Sequence, residues 1–71
     1  MDIKIQFGMR IKYLRGLKGW SQEELALNSG INKNYISDLE RGRRNSTLVV
    51  MEKIAIAFGI SLGELTKGIA S

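Results

Sequence analysis

The chain has 71 residues, of which 44% are hydrophobic and 25% are charged. That balance is typical of one globular domain, and we expect a single domain over 1–71. Cysteine and histidine are both absent, which excludes disulfides, thiolate or imidazole metal ligands and the usual general base. The net charge of +4 favours a polyanionic partner, nucleic acid before a membrane surface. We therefore expect no enzyme activity, no metal or cofactor site and no small-molecule ligand.

Nothing in the sequence predicts a membrane protein. No apolar run approaches the ~18 residues that a transmembrane helix needs. The N-terminal residues also lack the basic start and the apolar stretch of a signal peptide. We therefore expect a cytoplasmic protein.

Glycines divide the chain into five short segments that each carry helical signals; they are Gly19, Gly30, Gly42, Gly59 and Gly68. The first segment predicts a helix over about 2–18, because apolar residues recur at spacings of four and three. This stripe consists of Phe7, Ile11, Leu14 and Leu17. The only alternating stretch, 3–7, lacks a hairpin partner. The predicted fold class is therefore all-α, a compact bundle of five helices.

The start of the second helix is marked by two local signals. Ser21 and Glu24 form a capping box, and Trp20 and Leu25 are placed as a hydrophobic staple across it. The helix ends at Gly30, because glycine can adopt the left-handed conformation that terminates a helix.

Similar signals mark the remaining helices. Asn32 is a good N-cap for a third helix that ends at 41–42. Ser46 or Thr47 caps a fourth helix, and Ser61 opens a fifth that ends near Gly68. The predicted inner face of the fourth helix consists of Leu48, Met51, Ile54, Ala55 and Phe58.

Residues 22–41, QEELALNSGINKNYISDLER, predict two short helices joined by a turn around Gly30. This is the arrangement of a helix-turn-helix. Ala26 is small enough to let the two helices cross closely. The angle between the helices is filled by apolar residues, Leu25, Ile31, Ile36 and Leu39.

The sequence resembles the phage Cro and repressor type of helix-turn-helix domain, also called the xenobiotic-response-element family, with the lambda-repressor-like fold. The resemblance is carried by FGMRIKYLRGLKGWSQEELA, NSGINKNYISDLERGRRN and LVVMEKIAIAFGISLGEL. Within that family the chain is most similar to the controller proteins of restriction–modification systems, which carry a YIS-x-x-ERG-x-RN segment, here 35–45. Free-standing phage and chromosomal repressors share most of these letters, so both alternatives stay open.

The resemblance implies that the third helix enters the major groove of double-stranded DNA with its N-terminal end facing the bases. Lys33 can donate to guanine, and Asn34 can pair with adenine. Asn32 also serves as a cap, and Tyr35 is equally suited to packing. Asp38 would repel phosphates, so it must accept from cytosine N4 or hold a neighbouring lysine or arginine. The expected base contacts are Asn32, Lys33, Asn34, Tyr35 and Ser37.

The expected contacts to the DNA backbone are Gln22, Arg43, Arg44 and Asn45. Gln22 lies in the first turn of the second helix, where backbone N–H groups favour a phosphate. The arginines follow the third helix and can hold phosphates or enter a narrowed minor groove.

Other charged residues are expected to have structural or solvated roles. The resemblance implies an ion pair between Arg15 and Glu40 that positions the third helix without touching DNA. The expected solvated charges are Arg10, Lys12 and Lys18.

The C-terminal helices, about 47–68, carry more apolar residues than one small core needs. The resemblance implies a two-fold interface there, which would place two recognition helices ~34 Å apart on a palindromic operator. The expected interface residues are Val49, Ile56, Ile60, Leu62, Leu65 and Ile69.

The function expected from these features is a homodimeric transcriptional regulator of a restriction–modification operon that includes its own gene. RNA polymerase is a candidate partner, through Glu23 and Glu24, and we expect the protein at the nucleoid. The alternatives are a phage or chromosomal repressor, an antitoxin of the same fold, and a protein-interaction module that has lost DNA binding.

Overall fold

A computed structural model describes residues 2–69, and in this range it contains helices and turns but no strand. The five helices are α1 (Ile3–Lys18), α2 (Gln22–Ser29), α3 (Lys33–Glu40), α4 (Leu48–Phe58) and α5 (Leu62–Leu65). The predicted all-α class and the five helices are therefore confirmed. None of the helices in this range has the length and apolarity that crossing a bilayer requires.

The helices begin at the residues that the capping signals predict. Both halves of the capping box at Ser21 and Glu24 are formed. Thr47, rather than Ser46, caps α4 by accepting a hydrogen bond of 3.1 Å from the Val50 N–H. The last helix is shorter than predicted, because α5 ends at Leu65 and only turns follow up to residue 69.

One core joins all five helices and the turn between α2 and α3. Its buried residues are Phe7, Ile11, Leu25, Ile31, Ile36, Leu39, Ile54, Ala55, Phe58 and Leu65. Leu14 and Met51 are partly buried and pack against this core. Two other predicted core residues lie outside it. Leu17 is 67% exposed, because a second spacing of three rotates it away from the stripe that Phe7 and Ile11 define. Leu48, the first residue of α4, is also exposed, so the inner face of α4 begins one turn later.

Close packing of α1 against the C-terminal end of α3 positions the candidate site. Gly8 faces the backbone carbonyls of Leu39 and Glu40, and a Cβ atom at Gly8 would overlap the Leu39 oxygen. Gly42, which follows α3 with a φ of 73°, lies against Ile5 of α1 in the same way. Because glycine has no Cβ, the backbone of α1 can pack directly against the backbone at the end of α3.

Candidate nucleic-acid interface

The end of α3 is held by a polar cluster around Glu40, whose side chain is 5% exposed. Arg15 of α1 donates to Glu40 Oε2 through Nε at 2.8 Å and to Oε1 through Nη2 at 3.0 Å. Gln22 of α2 donates to the same Oε1 at 3.0 Å. The third guanidinium nitrogen of Arg15, Nη1, donates to the Trp20 carbonyl oxygen at 2.7 Å. The ion pair implied by the resemblance is therefore present, and it extends to a third helix.

This cluster is suited to holding the helix-turn-helix angle. Glu40 belongs to α3, and its two partners belong to α1 and α2, so a rotation of any one helix would break a charge-assisted hydrogen bond. The hydrogen bonds that Arg15 donates to Glu40 raise the pKa of Arg15 above its ordinary value, against the lowering effect of burial. The guanidinium therefore remains charged. We name this set, Arg15, Gln22 and Glu40, the brace.

The opposite end of α3 points into solvent. Asn32 caps the helix by accepting a hydrogen bond of 2.7 Å from the Asn34 N–H. Lys33 and Asn34 are exposed, whereas Ser37 is half-buried. Lys33 Nζ lies 4.0 Å from Glu23 Oε2, a loose contact between exposed groups that leaves the ammonium free to reorient.

The loop after α3 returns to the same helix. The Arg44 guanidinium lies 4.4 Å from the centroid of the Tyr35 ring, within the range of a cation–π contact. Arg44 Nε also lies 3.6 Å from Asp38 Oδ2. Of the two roles expected for Asp38, holding a neighbouring arginine is the one present in the free chain. The two chain neighbours of Arg44, Arg43 and Asn45, are exposed.

The predicted contact residues lie in two environments, the face of α3 that carries Lys33 and Asn34 and the polar cluster around Glu40. Helical spacing places Lys33 above Ser37 and Asn34 above Asp38, one turn apart on one face. Gln22 is different, because its side chain is half-buried and its amide is engaged with Glu40. In the free chain Gln22 therefore braces α3.

Arg10 corrects one prediction, since its side chain is not simply solvated. Its Nη2 donates to the Glu64 carbonyl at 2.7 Å and its Nε to the Leu65 carbonyl at 3.3 Å. It therefore satisfies carbonyls at the end of α5, which has no basic residue in its own last turn. No local pattern signals this role. Lys18 also has a partner, because its ammonium lies 5.7 Å from the centroid of the Trp20 ring.

The residues expected at a dimer interface differ in exposure. Val49 and Ile56 are exposed, Ile56 at 70%, and their spacing of seven puts them on one face of α4. Leu62 is partly exposed, and the half-buried Ile60 and Ile69 pack against the core. Leu65 has no exposed surface, so assigning it to an interface was wrong. Leu65 lies four residues after the N-cap Ser61, and this spacing places it on the inner face of α5, where it fills the core.

A braced pair of short helices that exposes the N-terminal end of the second one defines a helix-turn-helix DNA-binding domain. Residues 11–65 match the helix-turn-helix family, and the chain belongs to that family of DNA-binding transcriptional regulators. The predicted resemblance is confirmed.

Restriction–modification controllers are among the relatives. The control protein C.MunI from Mycoplasma sp is 46% identical over 65 residues, which cover 90% of this chain and 88% of that protein. The HTH-type transcriptional regulator y4dJ from Sinorhizobium fredii is 43% identical over 65 residues, covering 92% of this chain and 84% of that protein. The crystal structure of the restriction–modification controller protein C.AhdI from Aeromonas hydrophila matches with a TM-score of 0.85 at 45% identity, covering 87% of this chain and 94% of that one.

Proposed function

We propose that this chain binds a palindromic operator as a homodimer and controls a restriction–modification operon that includes its own gene. The observation that carries the proposal is the asymmetry of α3, whose C-terminal end is held by the brace while Lys33 and Asn34 are exposed at the other end. A fixed helix with free donors and acceptors at its N-terminal end suits reading of base edges in the major groove. The similarity to C.MunI and C.AhdI supports the assignment to restriction–modification control.

The proposed contacts divide into base and backbone contacts. Lys33 and Asn34 have the reach and the exposure for base edges, with Asn32, Tyr35 and Ser37 beside them. The proposed backbone contacts are Gln22, Arg43, Arg44 and Asn45. Because phosphate contacts carry no sequence information, the second group sets the affinity and the register of the complex.

The proposed dimer interface lies on α4 and α5. Val49 and Ile56 form its exposed part, and Leu62 with the half-buried Ile60 and Ile69 would continue it. A two-fold axis there would place two α3 helices ~34 Å apart, one helical turn of DNA.

RNA polymerase is a further proposed partner of the bound dimer, at the nucleoid in the cytoplasm. Of the two acidic residues considered for that contact, Glu24 is engaged in the capping box. The exposed Glu23 is therefore the better candidate.

Selection of bound duplexes from a random pool, at two salt concentrations, tests the proposal. We expect enrichment of a palindrome with half-sites one turn apart, and a steep loss of binding as salt rises because counterions are released. Footprinting on the DNA upstream of the chain's own gene should then locate the same palindrome. The proposed function is contradicted if no palindrome is enriched, or if the affinity does not depend on the salt concentration.

A further inference from the structure

One of the proposed DNA-contacting cations is already occupied within the protein. Arg44 lies on the Tyr35 ring at 4.4 Å and beside the Asp38 carboxylate at 3.6 Å. Arg44 Nε and Asp38 Oδ2 form an ion pair without a hydrogen bond, so a phosphate that draws the guanidinium away from Asp38 must overcome this attraction and the contact with the ring. We name this set, Tyr35, Asp38 and Arg44, the latch.

The latch is weak enough to open. The side chains of Asp38 and Arg44 are 35% and 46% exposed, so solvent screens their attraction. The Arg15–Glu40 pair, at 17% and 5% exposure and with two hydrogen bonds, is screened much less by solvent. Opening the latch on DNA has a second consequence, because it leaves the Asp38 carboxylate without its cation beside phosphates.

A base can remove that penalty. Asp38 lies one turn after Asn34, on the face of α3 that is proposed to read bases. A carboxylate at such a position can accept a hydrogen bond from the cytosine N4 amino group, whereas thymine presents an acceptor and a methyl group there. Cytosine can therefore take the place of Arg44 as the partner of Asp38, and thymine cannot.

We propose that Asp38 is a specificity-determining residue that keeps Arg44 from non-cognate DNA and releases it to a phosphate when a cytosine amino group binds the carboxylate. The proposal rests on the proposed function. It assigns to Asp38 a preference for one C·G pair in each half-site and a suppression of non-specific affinity. Without the carboxylate, Arg44 is available to every duplex.

Fluorescence anisotropy on three duplexes tests this exchange. They are the selected operator, the operator with its candidate C·G pair changed to T·A in both half-sites, and a scrambled duplex of equal length. We expect Asp38→Asn to bind the scrambled and T·A duplexes about tenfold more tightly while operator affinity changes less than threefold. On the scrambled duplex the salt slope of the dimer should steepen by about 1.8, because each of the two protomers makes one additional phosphate contact worth about 0.9.

Glu23→Gln is the matched control, because it removes one carboxylate beside another cation, Lys33, and changes the net charge by the same amount. It should not lower the ratio of operator to scrambled affinity, because the cation that it frees, Lys33, is proposed to read a base. Asp38→Ala, which suits a helix, should reproduce Asp38→Asn, and circular dichroism with thermal unfolding verifies that each variant is folded. If Glu23→Gln and Asp38→Asn lower the ratio of operator to scrambled affinity equally, the exchange is wrong.

A double variant tests whether Asp38 acts through Arg44. In an Arg44→Ala background, Asp38→Asn should affect non-cognate binding no more than Glu23→Gln does, because the latch is already absent. A larger effect in that background would mean that Asp38 acts by repelling phosphates, which overturns the proposal. A wild-type protein that discriminates and an Asp38→Asn variant that keeps the full ratio overturn this inference alone. A wild-type protein that does not discriminate overturns the proposed function.

Discussion

Arg15 in α1 and Glu40 at the end of α3 form a two-pronged ion pair, with hydrogen bonds of 2.8 and 3.0 Å, although 25 positions separate them in the chain. Gln22 completes the carboxylate's environment from α2. In this way one buried acid connects the three helices that present the proposed DNA-reading surface. The stability of that surface therefore depends on Arg15 and Glu40, two residues that we do not expect to touch DNA.

Replacing Arg15 with methionine should destabilise the fold by about 3–5 kcal/mol, because it leaves the Glu40 carboxylate buried without its cation. Urea unfolding measures the loss. Glu23→Gln, which breaks the exposed Lys33–Glu23 contact, should change the free energy of unfolding by less than about 1 kcal/mol. Equal effects of the two substitutions would mean that the brace is no stronger than a surface pair.

The brace should also persist at mildly alkaline pH. Because the hydrogen bonds from Arg15 to Glu40 raise the pKa of Arg15, the arginine's contribution to stability is complete below its unfolded-state pKa. That contribution disappears only as pH rises through the still higher folded-state pKa. Unfolding at neutral and mildly alkaline pH should therefore give the same difference between wild type and Arg15→Met.

Gly8 and Gly16 in α1 should respond in opposite directions to alanine. A Cβ at Gly8 would overlap the Leu39 carbonyl oxygen and lie 2.8 Å from that of Glu40, whereas one at Gly16 meets nothing within 4 Å. Gly8→Ala should cost about 1–3 kcal/mol or more, because the α1–α3 contact must open. Gly16→Ala should stabilise by about 0.5–1 kcal/mol through helix propensity. Thermal unfolding distinguishes them, and a stable Gly8→Ala would show that α1 can move away without loss.

Lys33 and Arg43 should differ in what their loss does to DNA binding. Lys33→Ala should relax the sequence preference at one base pair in each half-site, at a cost of about 1–3 kcal/mol per half-site of the operator. Arg43→Ala should weaken operator and scrambled duplexes alike and reduce the salt slope of the dimer by about 1.8, because one phosphate contact is lost from each protomer. Anisotropy titrations over single-base variants of the operator measure both effects. If both substitutions weaken every duplex equally, the proposed division into base and backbone contacts fails.

Charged substitutions on the exposed face of α4 should abolish a dimer without unfolding the monomer. Ile56→Glu places a charge on a side chain that is 70% exposed in the monomer, so the fold should tolerate it, whereas an apolar interface should not. Sedimentation equilibrium should then report a monomer. Leu27→Glu, at an exposed leucine of α2, is the control and should remain a dimer. A dimeric Ile56→Glu protein would place the interface elsewhere.

The sequence predicts local features well, because their causes lie within one turn of chain. Ser21, Asn32, Thr47 and Ser61 each satisfy a backbone N–H two or three residues ahead, so the starts of α2 to α5 follow from residue type and spacing. The apolar stripe of α1 is predicted only in part, since Leu17 continues the spacing but not the buried face.

The amino-acid sequence by itself therefore determined five helices, the helix-turn-helix and the region expected to contact DNA. The tertiary structure alone decided that Gln22 joins the brace, that Arg10 satisfies carbonyls 54 and 55 positions away, and that Arg44 lies on Tyr35. The physical reason is the separation along the chain between the residues that interact. Caps and turns are formed by hydrogen bonds between near neighbours, whereas the partners of a long cationic side chain depend on how the helices pack, which no local pattern specifies.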